Sequence, residues 1–370
     1  MNECGLYLHI PFCKKRCGYC NFFSSINNEE IQEKYIKELN NEIYQISQKN
    51  KEINIKTIYL GGGTPSLISL INLESVFNQI YKNFSIKKDV EITIEVNPES
   101  SCFIDNYPEF GINRISIGIQ STDDILLKKI GRLHSAKEGI ECLQKASENF
   151  DNVSADLILG LDENQNVSNE FNNIYKYVKH ISAYILTLEE KTELYKKILS
   201  NTVSIATEDR VIDQYNYFYD IAEENGFKRY ETSNYSIRGY ESRHNSSYWD
   251  LTPYIGLGAG AHSFYNGIRY YNTENINDYI NGIHSGNSRQ IIERESSESD
   301  DKIEYIMLSL RTTNGLNFKD YKCKFNSDFM SEFSDKIKKS GAYLNVSNEH
   351  INILPDYFLV QNEIIRSIIY

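Results

Sequence analysis

The stretch Ile10-Pro11-Phe12-Cys13-Lys14-Lys15-Arg16-Cys17-Gly18-Tyr19-Cys20 sets three thiols in a C-x3-C-x2-C spacing. It follows an apolar run, residues 6–10, that reads as a strand, so the thiols fall on a loop at a strand's C-terminal end. Three thiolates on one short loop can converge on a single centre. Structural zinc and electron-transfer clusters usually take four protein ligands, yet Asn21, Phe22 and Phe23 follow Cys20 and no fourth cysteine does. A [4Fe–4S] cluster held by three cysteines leaves one iron open to an exchangeable ligand, the arrangement of a working site rather than a structural one. Zinc bound by the three cysteines with His9 or a distant residue is the alternative that spacing leaves open. Lys14, Lys15 and Arg16 are expected to lower the thiol pKa values and offset cluster charge.

Working outward, short β-type runs alternate with helical patterns up to about residue 190. Runs at 6–10, 57–60, 90–96, 114–119, 153–159 and 181–186 are rich in Ile, Val, Leu or Tyr, and most end in Gly, Pro, Asn or Gln. Between them, apolar residues recur at spacings of three and four, as at Ile31, Tyr35, Leu39, Ile43 and Ile46. Further helical patterns run 73–83, 122–130, 136–149 and 167–178. Strands separated by helices predict βαβ units and a parallel sheet, either a six-stranded open barrel or a doubly wound sheet. In both architectures ligands collect at the C-terminal strand ends.

Several polar motifs lie at those ends. Gly61-Gly62-Gly63-Thr64-Pro65 follows the second strand, where glycines let backbone approach a ligand closely. Glu91, Thr93 and Glu95 share one face of the third strand, and Glu95 near its end is placed to bind an amine or hydroxyl. The fourth strand ends at Gln120, and Asp156 lies within the fifth.

Taken together, CKKRCGYC, GGGTP, EVNP, GIQ, GRLH and DLILGL resemble the radical S-adenosylmethionine superfamily. In order and spacing they resemble its oxygen-independent coproporphyrinogen III oxidase-like family across nearly the whole chain. The resemblance implies an α/β fold, a partial (β/α)6 TIM-like barrel with the cluster at its top. It implies Cys13, Cys17 and Cys20 as ligands of a [4Fe–4S] cluster whose open iron chelates S-adenosylmethionine, and reductive cleavage of that cofactor would release a 5′-deoxyadenosyl radical. It further implies that Tyr7 and Tyr19 flank the cluster and cofactor. Gly62, Gly63 and Thr64 would contact the methionyl end, and Glu95, Gln120, Arg132 and Asp156 would hold polar atoms of the cofactor. The family's proline after DLILGL is absent; the run continues Asp162-Glu163-Asn164.

Two branches of this family differ at two places. The oxidases resemble C-x3-C-x2-C-x-C, whereas the last of those positions here is Phe22. The HemW haem-chaperone branch resembles H-N-x-x-Y-W, matched by His244-Asn245-Ser246-Ser247-Tyr248-Trp249 and followed by Gly256-Leu257-Gly258-Ala259-Gly260-Ala261-His262-Ser263. By that resemblance the chain is a haem chaperone carrying haem as cargo and delivering it to haem proteins, with His244 as the haem contact and His262 the next candidate. Imidazole is a competent axial ligand for haem iron. Tyr248 and Trp249 would stack on or flank the porphyrin. The alternative is an oxygen-independent coproporphyrinogen III dehydrogenase of porphyrin biosynthesis. Whether radical chemistry operates in the chaperone does not follow from these residues.

Beyond residue 190 the alternation breaks down. Residues 201–226 read mostly as one long helix, residues 230–271 are rich in Tyr, Ser and Gly, and the charge-dense stretch 286–301 reads as a linker. The last 70 or so residues read as a small winged-helix-like appendage, with helices near 301–310 and 327–340, a hairpin near 348–353 and a final apolar helix. The expected domains are a barrel core over 1–190, an extension with the HNSSYW motif over 191–285, and a C-terminal domain over 286–370.

Composition narrows the partners. The 370 residues carry 51 acidic and 39 basic side chains, a net charge of −12, which argues against nonspecific binding to nucleic acid or anionic lipid. No run approaches the roughly 18 apolar residues of a spanning helix, and the first ten residues do not read as a signal peptide. A cytoplasmic protein is expected, with transient membrane association left open. Expected partners are haem, recipient haem proteins (respiratory ones among them) and an electron donor for the cluster; a homodimer is left open. Seven cysteines with four in the first 20 residues fit a reducing compartment, and Cys4, Cys102, Cys142 and Cys323 read as packing residues.

Overall fold

A computed structural model describes residues 2–286, 290–295 and 297–370. Six strands, β1 (Asn2–Ile10), β2 (Ile53–Gly62), β3 (Ser85–Val96), β4 (Arg114–Gln120), β5 (Asn152–Leu159) and β6 (His180–Ile185), lie side by side in that order, each parallel to the next. All six strands read from the sequence are there, most of them longer than their apolar runs. Helices α1 (Glu29–Lys49), α2 (Leu70–Asn83), α3 (Asp124–Lys129), α4 (Ala136–Asn149) and α5 (Val167–Ile174) connect them. The outward strand residues Leu6, Leu8, Ile58, Leu60, Ile92, Ile94, Ile115 and Ile117 are buried, as are Tyr35, Leu39 and Ile43 of α1 and Leu73, Phe77 and Ile80 of α2, in one core. Period 2 meets period 3.6 there, which is why the βαβ reading works.

The opposite strand face is polar. Thr57, Glu91, Arg114, Ser154 and His180 are buried on it, and Glu95, Ser116, Asp156 and Tyr184 line the cavity at the C-terminal mouth. A polar interior leaves the sheet open around a site, not filled by a hydrocarbon plug.

The sheet continues past both ends of this array. Beyond β6 lie β8 (Asn234–Ser236) and then β7 (Lys228–Arg229), antiparallel. On the other flank β9 (Tyr254–Leu257) runs parallel to β1, followed by antiparallel β10 (His262–Tyr265), β11 (Ile268–Asn272) and β12 (Gln290–Glu295). The region after residue 190 thus extends the barrel sheet itself. The expected long helix over 201–226 is shorter: α6 (Glu193–Leu199) precedes it, Ser204 to Ala206 are irregular, and α7 spans Glu208–Glu224. The stretch read as a linker is structured where described: β12 joins the sheet edge and α10 (Glu298–Ser309) begins within it, while residues 287–289 and 296 lie outside the described residues.

A second core, containing Tyr305, Ile306, Leu316, Tyr321, Phe329, Ile351, Ile353, Phe358, Ile365 and Ile368, organises the C-terminal part. Its order is α10, a short strand Leu316–Asn317, α11 (Phe318–Phe325), α12 (Phe329–Lys339), the hairpin Leu344–Val346 and His350–Ile353, and α13 (Gln361–Ile369). The helix α11 escaped the sequence reading, because eight residues carrying three lysines present little apolar periodicity. Leu251, just after α8 (Arg243–Trp249), packs into this second core.

Candidate cluster and cofactor site

The thiol loop is held at several points. Phe12–Cys13 pairs in parallel with Ser25–Ile26, tying the loop's two ends together. Gly63 N–H donates to Ile10 O at 2.9 Å and Thr64 N–H to Phe12 O at 2.8 Å, so the GGGTP turn is stitched to the loop's first half. A Cβ on Gly63 would stand 2.9 Å from Ile10 O and from Phe12 N and O, closer than backbone tolerates, so only glycine permits this join. Farther along, Gly18 N–H donates to Ile130 O at 2.9 Å and Leu194 N–H to Gly18 O at 2.8 Å. These bonds pin the loop to the segment that presents Arg132.

Cys13, Cys17 and Cys20 line a cavity of about 490 Å³ at the C-terminal mouth of the barrel. The same cavity is lined by Tyr19, Gly62, Gly63, Thr64, Glu95, Gln120, Arg132 and Asp156. Of the twelve residues expected around the cluster and cofactor, eleven are therefore brought together; Tyr7 is not. Arg132 is the organiser: its Nη2 donates to Gly118 O at 2.6 Å and Asn97 Oδ1 at 2.8 Å, and its Nη1 lies 3.6 Å from Cys17 Sγ. Asn97 Nδ2 in turn donates to Thr64 Oγ1 at 3.0 Å, and Thr64 Oγ1 lies 3.6 Å from Cys13 Sγ. Asn97 is a member the sequence reading missed, although its place one residue past the third strand was a usable signal. Gln120 holds φ 66°, the left-handed region that few residues outside glycine enter, at the end of β4 and inside this cavity.

The electrostatics correct one expectation. Burial pushes the Cys13 and Cys20 thiols above their ordinary value, and the neighbouring thiols add to the rise. Lys14 does not offset this; its ammonium donates to the Glu99 carbonyl. The cations acting on the thiols are buried Arg132 and, weakly, Arg16. Glu95 is raised to about 7, chiefly by burial, while Tyr59 Oη donates to its Oε1 at 2.8 Å and Gly62 N–H to its Oε2 at 3.2 Å. Asp156 is raised by burial, with Ser116 donating to it at 3.3 Å. A ligand ammonium arriving here would find two carboxyls whose ionisation is favoured by its charge.

The donor set fits an iron–sulfur cluster with S-adenosylmethionine: three thiols on one pinned loop, a guanidinium against one of them, two buried carboxyls and a glycine turn. The Nε of Arg132 is buried with no partner, a donor left over after the protein's own bonds are made. Among the described residues no group of three or more His, Cys, Asp or Glu side chains is drawn together as the ligands of a single ion. The remaining cysteines divide. Cys4 and Cys142 are buried, as expected of packing residues, but Cys102 and Cys323 are exposed.

Tyr7 faces a second cavity, of about 500 Å³, on the flank beside β1 and β10, with Asn21 and Phe22 lining both cavities. His9 Nε2 lies 2.9 Å from Phe23 O, which only accepts, so Nε2 carries the proton and Nδ1 accepts from Tyr7 Oη at 2.9 Å. Burial holds His9 down at about 4.

The HNSSYW motif forms α8 and enters the polar interior of the barrel. Glu91 accepts from Arg243 N–H at 2.9 Å and His244 N–H at 2.8 Å, while Ser242 caps the helix. The His244 ring is fully buried, stacked on Tyr59 at 5.1 Å and on Tyr7 at 6.4 Å. Its Nδ1 lies 2.9 Å from Thr57 Oγ1 and its Nε2 2.8 Å from Tyr248 Oη. Both ring nitrogens are engaged in this conformation. Tyr248 reaches the flank cavity, whereas Trp249 lines a separate basal cavity of about 830 Å³ walled mostly by polar residues.

Burial lowers His244 to about 3, below the usual 6.5. The unfolded chain therefore binds a proton that the folded chain refuses, and stability falls as pH drops from about 6.5 toward 3. At pH 5 the cost relative to neutral pH is on the order of 2 kcal/mol. We expect His244→Gln to shrink the pH 7-to-5 loss of unfolding free energy by about that amount, measured by urea denaturation. Equal losses in both proteins would show that His244 is not buried neutral.

Comparison with known proteins follows the same lines. Residues 7–177 match the model of the Radical SAM superfamily. The solved structure described as coproporphyrinogen III oxidase (HemN) from Escherichia coli, a radical SAM enzyme, superposes with a TM-score of 0.84 over 99% of this chain and 90% of that one. At 17% identity that likeness establishes the fold. Barrel, pinned three-thiol loop and polar mouth thus define a radical SAM protein. The "Heme chaperone HemW" of Lactococcus lactis is 33% identical over 90% of this chain and 87% of its own, and that of Bacillus subtilis 30% identical over 90% and 89%. The chain belongs to the HemW family.

Proposed function

We propose that this chain is a haem chaperone of the radical SAM type. It holds a [4Fe–4S] cluster on Cys13, Cys17 and Cys20, binds S-adenosylmethionine in the mouth cavity, carries haem, and delivers it to recipient haem proteins. When bound, cluster and cofactor supply one-electron chemistry at the open iron. The chain's own residues do the rest: Arg132 sets its guanidinium against Cys17 Sγ, Glu95 and Asp156 receive an ammonium, and Asn97 with Thr64 fixes the turn that approaches the ligand. A donor protein supplies the electron. No helix among the described residues is long and apolar enough to cross a membrane, which suits a cytoplasmic carrier that meets membrane recipients transiently.

The observation that carries this reading is the end-to-end likeness to HemW chaperones, 33% identity over nine-tenths of the chain, with Phe22 where the oxidases resemble a further cysteine. The test is transfer. Haem-loaded protein mixed with an apo-haem protein is expected to lose its haem spectrum as the acceptor gains its own, faster than free haem partitions. An acceptor that fills at the same rate from free haem would count against carriage.

A further inference from the structure

The flank cavity offers what His244 does not. His262, on β10, lines it and is half exposed, and its ring stacks on Tyr271 at 5.0 Å and 18°. Its Nδ1 lies 3.6 Å from Glu293 Oε2, and Nε2 has no hydrogen-bond partner among the described residues. Metal-ligating imidazoles are commonly oriented this way, with one ring nitrogen toward a carboxylate and the other toward the metal. The walls are aromatic: Phe22, Phe23, Tyr254 and Phe264 line the same space. Its Lys/Arg lining consists of Arg269, which lies over the Phe264 ring at 4.6 Å and pairs with Glu304 at 2.6 Å. A cavity of about 500 Å³ falls within the roughly 300–1,000 Å³ usual for cofactor-sized ligands.

We infer that haem seats in this flank cavity, with His262 Nε2 as the axial ligand to iron, aromatic walls against the porphyrin, and Arg269 beside a propionate. Coordination is a simple exchange: the Nε2 lone pair replaces a water on ferric iron, and no electron moves. The inference rests on the haem-carrier reading and specifies its site. Because Asn21 and Phe22 border both cavities, a porphyrin here lies beside the cluster loop, not on top of it. His244 then acts as a buried support, holding Tyr248 in the cavity wall by its Nε2 contact.

Titration of the anaerobically purified full chain with ferric haem tests this, read by Soret position and electron paramagnetic resonance. His262→Ala is expected to lose the imidazole-ligand signature and bind haem about tenfold more weakly or worse. His262→Tyr, at a half-exposed position, is expected to bind haem with a tyrosinate-type spectrum, and Cys323→Ala, at an exposed thiol outside the cavity lining, to keep the wild-type spectrum. If the wild type binds haem and both His262 variants keep its spectrum, the site assignment is overturned and haem carriage stands. If the wild type shows no saturable haem binding, the carrier reading itself falls.

Discussion

Replacing Cys17 with alanine is expected to leave anaerobically reconstituted protein with almost no iron, against about four irons per chain expected in the wild type. The reason is geometric. A cluster held by three protein thiolates has no spare ligand, and Cys13, Cys17 and Cys20 lie on one loop whose ends are fixed by the Phe12–Cys13 pairing and by Gly18. The loss also takes from Arg132 the sulfur that lies 3.6 Å from its Nη1, while its bonds to Gly118 O and Asn97 Oδ1 remain. Cys102→Ala and Cys323→Ala serve as controls, since both thiols are exposed and far from the loop in sequence. Iron and sulfide analysis with visible absorption reads the result. Full cluster content in Cys17→Ala would remove that residue from the ligand set.

The second large effect lies away from the thiols. Glu42, on α1, is buried, and its carboxylate accepts from Gly258 N–H at 2.7 Å, Tyr279 Oη at 2.7 Å and Asn272 Nδ2 at 2.8 Å. These donors come from the glycine-rich turn after β9, from α9 (Ile276–His284) and from the end of β11. One carboxylate therefore ties the first barrel helix to the extension that carries His262. Glu42→Ala takes the acceptor from Gly258 N–H and Tyr279 Oη and leaves Asn272 Nδ2 with Gly258 O alone, and is expected to cost about 3–5 kcal/mol of unfolding free energy. Glu42→Gln keeps one oxygen but turns an amide donor toward another donor, so an intermediate loss is expected. Urea denaturation at neutral pH measures both. A loss under about 1 kcal/mol for Glu42→Ala would mean that the turn finds its hydrogen bonds elsewhere.

Glu42 also marks how far sequence carries. The apolar residues of α1 at spacings of three and four announce the helix and its buried face, but an acidic residue beside that face reads as solvated. Its partners lie more than 200 residues away, and nothing local signals them. The six barrel strands were legible because each is a short run rich in Ile, Val, Leu or Tyr and most end in a turn residue. The mouth of the site was legible for the same reason: polar residues at successive strand ends converge once the strands are parallel. The extension was not legible in this way. β9 is four residues in a glycine-rich stretch, and only its contact with β1 makes it a strand. The HNSSYW motif was visible, but its placement was not. A seven-residue helix with Ser242 as its cap could face solvent or core, and Glu91, from β3, brings it inside the barrel. Tyr7 was expected at the site through the family resemblance alone, and the structure places it on a separate cavity that Tyr254 of β9 and His262 of β10 also line.

The measurement that bears most directly on the function is anaerobic turnover of coproporphyrinogen III by the reconstituted protein with reductant and S-adenosylmethionine. The account predicts no protoporphyrinogen above the protein-free control, in a preparation that binds haem and carries its full cluster. Sustained protoporphyrinogen formation by that same preparation would contradict it and make the chain a decarboxylating oxidase.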